Sequence, residues 1–266
     1  MPPPTQTSEG KSLHRQQQVE SADLVAHKAW KCASRSARQM SKRSRVVNPT
    51  MERSIPRFLG EEMVVGKLLG SGGFNSVYEL SAIVLTKDPL ASENAGKICS
   101  ENQTLCRTHL ATQTSDCEAT NNNRFAIKFL SGGTVDDPGR FFRGAVDLVM
   151  ETKFLASLDH EHIIKLRGMS ATGTRGFTSC HGKGYFLILD RLQCSLEDRL
   201  DEWKHSSPKF KSTLQKRLLD HGGEDPSPTL ADRLQVAAEV ASALYYLHER
   251  NILCKFAAVA LPADVA

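Results

Sequence analysis

The chain has 266 residues, 40% hydrophobic and 24% charged, with a formal net charge of +4. No stretch approaches the roughly 18 consecutive apolar residues that a membrane-spanning helix requires, so no membrane span is expected. The start, Met1-Pro-Pro-Pro-Thr-Gln-Thr-Ser-Glu-Gly10, lacks a charged region followed by an apolar run, which argues against a secretory leader. The seven cysteines are then read as reduced thiols of a cytoplasmic or nuclear protein.

The net charge conceals a division. Residues 1–55 hold ten Lys/Arg and four Asp/Glu, a net of +6, so the other 211 residues carry −2. From Leu24 to Thr50 there is no acid. Residues 1–57 lack a regular apolar repeat and are expected to form a disordered basic tail, with at most a transient helix near Ala22–Trp30. Ser41-Lys42-Arg43-Ser44-Arg45 fits a nuclear-localisation or phosphate-binding patch as well as a plain solvated tail, and this tail alone is a poor argument for nucleic acid as a partner.

From Phe58 the texture changes. Met63-Val64-Val65 and Lys67-Leu68-Leu69 read as a strand, Gly70-Ser71-Gly72-Gly73 as a turn and Ser76–Leu80 as the returning strand of a hairpin. Residues 86–123 are polar, rich in Asn and Thr, and read as an inserted loop; Cys99, Cys106 and Cys117 lack the close pairing of a zinc site. Arg124–Leu130 is a short apolar strand with Lys128 in its middle. Asp137-Pro138 opens a helix in which Phe141, Ala145, Leu148, Glu151, Leu155 and Leu158 recur at spacings of three and four. Ile163–Arg167 and Tyr185–Leu189 read as further strands, Ser195–Trp203 as a short helix and residues 204–228 as a second inserted loop. Thr229 and Asp232 resemble a capping box. The helix behind it carries Leu230, Leu234, Ala237, Ala241, Leu244 and His248 on one face.

Two features carry chemistry. A hairpin tip without side chains lets backbone N–H groups approach a ligand, phosphate above all, although an isolated Gly-x-Gly is more often a tight turn. No Gly-Lys-Ser/Thr follows it and a strand stands where a dinucleotide fold needs a helix, which excludes both common phosphate loops. Lys128, if buried, needs a partner. Glu151, in phase with Leu148 and Leu155, is the candidate, and the pair could hold the ammonium against nucleotide phosphates. For either residue alone, a surface position is the simpler reading.

Taken in order, these segments resemble the first part of a protein kinase domain. Leu69-Gly70-Ser71-Gly72-Gly73-Phe74-Asn75-Ser76-Val77 is similar to the glycine-rich loop, with Asn75 in place of the third glycine. Phe125-Ala126-Ile127-Lys128 resembles the V-A-I-K strand. Glu151 with Leu155, Leu158, His160 and His162 is similar to the helix-C glutamate and what trails it. Tyr185–Leu192 resembles the fifth strand and hinge, and Tyr246–Leu253 the approach to the catalytic loop. The resemblance implies an α+β fold: a five-stranded antiparallel sheet with helix C over 58–192, then the start of a helical lobe over 193–255. It implies ATP as ligand, with Leu69, Val77 and Ala126 on the adenine and backbone N–H groups of Ser71, Gly72, Gly73, Phe74 and Asn75 over the phosphates. Lys128 would contact the α- and β-phosphates while Glu151 orients it. Leu189 would be gatekeeper, and Asp190 C=O and Leu192 N–H would bond the adenine edge. A protein Ser/Thr substrate would follow from the family.

The resemblance ends after Leu253. Phe256 stands in place of the catalytic aspartate and Leu261 in place of the metal-binding asparagine, and no D-F-G or A-P-E segment follows. Mg²⁺ is expected for the family, but its ligands are missing. Residues 256–266 read as a non-kinase tail, and a chain cut short before its catalytic residues, inactive as written, is the expectation. The other reading is a pseudokinase-like module that binds nucleotide or a partner without phosphoryl transfer.

Overall fold

The computed structural model describes residues 8–86, 101–118, 124–206 and 230–252. Phe256, Leu261, Thr229 of the capping box and most of the second inserted loop lie outside the described residues. The chain divides into two units: Met1–Leu158 with Lys165–Arg191, and Asp159–Ile164 with Leu192–Ala266.

The first unit is built on a six-stranded sheet of order β1-β5-β6-β4-β3-β2. Its strands are β1 (Arg57–Phe58), β2 (Met63–Ser71), β3 (Asn75–Ile83), β4 (Phe125–Leu130), β5 (Leu166–Ser170) and β6 (Leu187–Asp190). The α+β class holds, but the sheet is mixed where a five-stranded antiparallel one was expected. Strands β2 to β6 pair antiparallel, and β1 adds a two-residue parallel edge, Arg57 opposite Met169 and Phe58 opposite Ser170. Phe58, fully buried, holds that edge in place. Its ring closes on Gly168, where a Cβ would stand 2.8 Å from Phe58 Cε2. Strand β5 begins at Leu166, three residues later than the apolar run beginning at Ile163 indicates, because Ile163 N donates to His160 O (3.2 Å) in a turn.

Alternation along β4 gives the sheet two covered faces. Phe125, Ile127 and Phe129 enter a cluster with Phe58, Leu80, Ile83, Phe186, Ile188 and Leu110. Leu110 comes from a helix, α3 (Glu101–Glu118), inside the segment read as an inserted loop. Apart from Leu110 and the half-buried Ala111, polar groups dock this helix, and so it lacks an apolar stripe. Gln103 accepts from Arg57 N (2.9 Å) and donates to Arg53 O and Ile55 O (3.2 and 3.0 Å), and Thr114 Oγ1 accepts from Ile83 N (3.2 Å). Arg107 forms a buried ion pair with Glu62.

The opposite face carries Ala126, Lys128 and Leu130 and is covered by α5 (Pro138–Leu155), which follows the single turn α4 (Gly132–Val135). Asp137 caps α5 by accepting from Arg140 N (2.9 Å), and that bond holds its carboxyl below the usual carboxylate range. Phe141, Ala145, Leu148 and Val149 are buried beneath the helix.

Outside α5 lies α1 (Ser8–Arg43), a helix within the segment read from the sequence as a disordered basic tail. Its docking face consists of small and flexible residues, Ala29, Ala33 and Met40, all buried. Alanines let two helices approach closely, yet add little apolar signal to a charged segment. Ser34 and Thr174 hydroxyls meet at 2.7 Å and Arg175 lies over the Trp30 ring at 5.5 Å. The chain then runs through α2 (Pro49–Ser54), whose Glu52 pairs with Lys153 of α5 at 2.5 Å, while Asn48 N donates to Ser157 Oγ at 2.8 Å.

The second unit contains α6 (Leu196–Ser206) and α7 (Leu230–Glu249). Ser195 and Asp198 form a reciprocal cap on α6: Asp198 N donates to Ser195 Oγ (3.1 Å) and Ser195 N to Asp198 Oδ2 (2.9 Å). On α7 the buried residues are Val236, Glu239, Ala243 and Leu247, whereas Leu230 and Leu234 are exposed, so the apolar phase read from the sequence is displaced by about 135°, more than a third of a turn. Segment Asp159–Ile164 meets α7 beside the Ala243–Leu247 side. Tyr246 Oη accepts from Asp159 N (3.0 Å), and Ser242 Oγ lies 3.2 Å from His160 Nε2.

Candidate functional site

The residues that the sequence marks as chemical gather on the α5 face of the first unit. Lys128 lies in register between Val77 of β3 and Leu187 of β6. Its Nζ is 2.7 Å from both Oε1 and Oε2 of Glu151. The Lys128 and Glu151 side chains keep 19% and 32% of their surface exposed, so the pair is shielded without being sealed. An ammonium has three donors and Glu151 takes two, which leaves one for a further acceptor. Ala126, one pleat away on the same face, pairs across to Leu189, and both are buried.

The glycine hairpin lies over the start of this face. Gly72 N donates to Asn75 O (2.8 Å) to close the turn, so among the tip amides this one is already engaged. Leu69 and residues Gly70, Ser71, Gly72 and Gly73 are exposed, while Phe74, Asn75 and Val77 are half-buried. Ser131 N donates to Phe74 O (3.0 Å). The Asn75 Oδ1 atom is buried and has no hydrogen-bond partner among the described residues, an unmet acceptor that costs about 1–3 kcal/mol.

Two residues that sequence reasoning passed over complete the site. The Arg140 guanidinium donates to Gly73 O and lies 5.7 Å over the Phe74 ring, pinning the hairpin tip to the first turn of α5. Gly144 lets that contact form. A Cβ there would stand 2.9 Å from Leu130 Cδ2, 3.0 Å from Thr134 Cγ2 and 3.2 Å from Phe74 Cβ, so only glycine fits without displacing three neighbours. A glycine within a helix that also carries Arg at 140 and 143 was the available signal, since glycine weakens a helix interior and calls for a packing reason.

The two residues expected to meet an adenine edge, Asp190 and Leu192, fall in different units. Asp190 ends β6; its carboxylate is held by Arg167 through bonds of 2.7 and 3.0 Å, and its backbone N–H donates to Lys165 O (3.3 Å). Leu192 opens the second unit. Among the described residues no group of three or more His, Cys, Asp or Glu is placed to hold a metal ion. Among the described residues no helix is long and apolar enough to cross a membrane.

No family model matches the chain, and no curated protein matches it either.

Proposed function

We propose that residues 58–192 are the nucleotide-binding lobe of a protein-kinase-type domain and that this lobe binds ATP. The observation that carries the reading is the Lys128–Glu151 pair: two residues 23 apart in sequence, singled out for their chemistry, meet at 2.7 Å with a lysine donor to spare. A lysine braced between strand and helix beneath a glycine hairpin suits a polyphosphate, because it presents a fixed positive charge beside unhindered backbone amides. ATP would supply the adenine for Leu69, Val77, Ala126 and Leu189 of the first unit to contact, with Asp190 C=O on its edge. The amides of Ser71, Gly73, Phe74 and Asn75 are the donors left for the phosphates once Gly72 is discounted. Arg140 and Phe74 hold the hairpin against α5, and they would set how readily it lifts to admit a ligand.

Phosphoryl transfer needs an aspartate to orient the acceptor hydroxyl and oxygen ligands to place Mg²⁺. Phe256 and Leu261 stand at those positions of the kinase pattern, and this favours binding without turnover as the second reading. Displacement of a fluorescent ATP analogue by ATP, measured with and without Mg²⁺, tests the proposal. The wild-type chain should bind and Lys128→Ala should not. Equal binding by both proteins would refute the assignment of Lys128. If neither binds while both remain folded by circular dichroism, the ATP reading itself fails. Transfer of phosphate to a protein Ser/Thr substrate would exclude the second reading.

A further inference from the structure

Helix α1 converts a basic segment into an ordered row of charge. At 100° per residue, the buried Ala29, Ala33 and Met40 mark one side of the helix, and Lys31, Arg35, Arg38 and Lys42 fall roughly 180° away from it. All four cations are exposed, and with Gln39 they line a hollow of about 430 Å³ along the outer face of α1. From Lys31 to Lys42 they span 12 residues, about 16 Å of helix, with one charge every 4.5–6 Å along the axis. Among the described residues no acidic side chain pairs with Lys31, Arg35 or Lys42, and Arg38 Nε donates only to Ser34 O, within the helix (3.3 Å). The sequence holds no acid from Leu24 to Thr50, and the acid that follows, Glu52, is occupied by Lys153. Because the opposite side of α1 is docked on the body of the unit, the four charges keep their alignment without an ordering cost at binding.

We infer that this face of α1 is a docking surface for the phosphate backbone of double-stranded nucleic acid, bound without sequence selection. Three observations favour that partner over other polyanions. Helices that lie on a membrane bury an apolar face in the lipid, and the apolar face of α1 is already covered by α5. Between Lys31 and Lys42 the exposed positions are Lys31, Cys32, Arg35, Arg38, Gln39 and Lys42, with no leucine, isoleucine or aromatic to insert into a bilayer or to stack on unpaired bases. Trp30, the aromatic residue of this region, has its ring under Arg175. A straight row of fixed charges, two of them arginines whose guanidinium forks match phosphate oxygens, suits a stiff duplex backbone.

The test uses the full chain and a fluorescein-labelled 20-base-pair DNA duplex in fluorescence anisotropy between 50 and 200 mM salt, with a second duplex of unrelated sequence. Four phosphate contacts give a slope of log K against log salt near −3.6, so affinity should fall about 150-fold over that range and equally for both duplexes. The variant with Lys31, Arg35, Arg38 and Lys42 all changed to Gln, which keeps good helix formers on the surface, should retain the wild-type circular dichroism and lose binding at 50 mM salt. Absence of binding by the wild type at 50 mM salt, or an unchanged affinity in the quadruple variant, would overturn the inference. Binding to vesicles containing phosphatidylserine but not to either duplex would reassign the surface to a bilayer and overturn it equally.

Discussion

The buried Glu62–Arg107 pair gives the sharpest stability prediction. Glu62 ends the turn before β2 and is 1% exposed, and Arg107 projects from α3 and is 5% exposed. The Glu62 carboxylate is fully used: Oε2 accepts from Leu59 N (2.8 Å), and Oε1 accepts from Thr86 N and Thr86 Oγ1 (2.9 Å each) and from Arg107. In Glu62→Gln the amide nitrogen must face one of those donors, and the guanidinium stays buried without its counter-charge. Removing one partner of a buried pair costs about 3–5 kcal/mol, because the remaining charge keeps its full desolvation penalty. For a chain of this size the loss corresponds to a fall of roughly 6–20 °C in Tm. Arg107→Met should cost a similar amount, whereas the double variant Glu62→Gln/Arg107→Met should recover more than about 1 kcal/mol of the summed losses, since neither charge is then stranded. The assay is urea unfolding followed by circular dichroism, with m-values compared to confirm that the unfolding transition is unchanged. A single-variant loss below about 1 kcal/mol, or strictly additive losses, would refute the view that α3 is anchored by this ion pair.

Further outcomes follow from the packing. Gly144→Ala forces a methyl against Leu130, Thr134 and Phe74 and should destabilise the chain by about 1–3 kcal/mol in the same unfolding assay, with the hairpin tip losing hydrogen-exchange protection. Ala33→Glu places a charge at a fully buried position on α1; the helix should undock from α5, seen as lost exchange protection over residues 25–43 with the sheet amides unchanged. Tyr185 Oη donates to Thr152 Oγ1 (2.8 Å) and burial pushes its hydroxyl well above the ordinary tyrosine value; Tyr185→Phe should cost about 1 kcal/mol and remove a buried phenol that resists titration in alkali. The lowered pKa of Asp137 means that its cap on α5 stabilises the fold above the usual carboxylate pKa and is lost as pH falls through the folded value. Exchange at Arg140 N should therefore accelerate relative to mid-helix amides below pH 3.8, and Asp137→Asn should abolish that pH dependence.

How much of this was legible in the sequence depended on what each element uses to hold its place. The β2–β3 hairpin, β4 and α5 declare themselves through apolar alternation, a glycine turn and an Asp-Pro start. The Lys128–Glu151 meeting follows from the pleat of one strand and the phase of one helix. Helix α1 stayed hidden because its buried face is alanine and methionine within a run of cations. Helix α3 stayed hidden because Gln103, Arg107 and Thr114 dock it through polar bonds that carry no apolar periodicity. Strand β1 is two residues long and parallel, below what alternation can register. Arg140 and Gly144 escaped because their role lies in touching the hairpin tip, a contact between segments about 70 residues apart. The apolar side of α7 was misassigned because Leu230 and Leu234 are larger than the Val236 and Ala243 that the fold buries.

The account rests on Lys128 and Glu151 forming a nucleotide-phosphate site, and the most direct measurement is the ATP-dependent thermal shift of the full chain. A ligand at 100 times its dissociation constant stabilises the bound state by about 2.7 kcal/mol, which is roughly 5–11 °C for a chain of this size. The account predicts a shift of that order for the wild type and none for Lys128→Ala, with the unliganded variant still folded. No shift in the wild type at millimolar ATP, or an equal shift in both proteins, would contradict it.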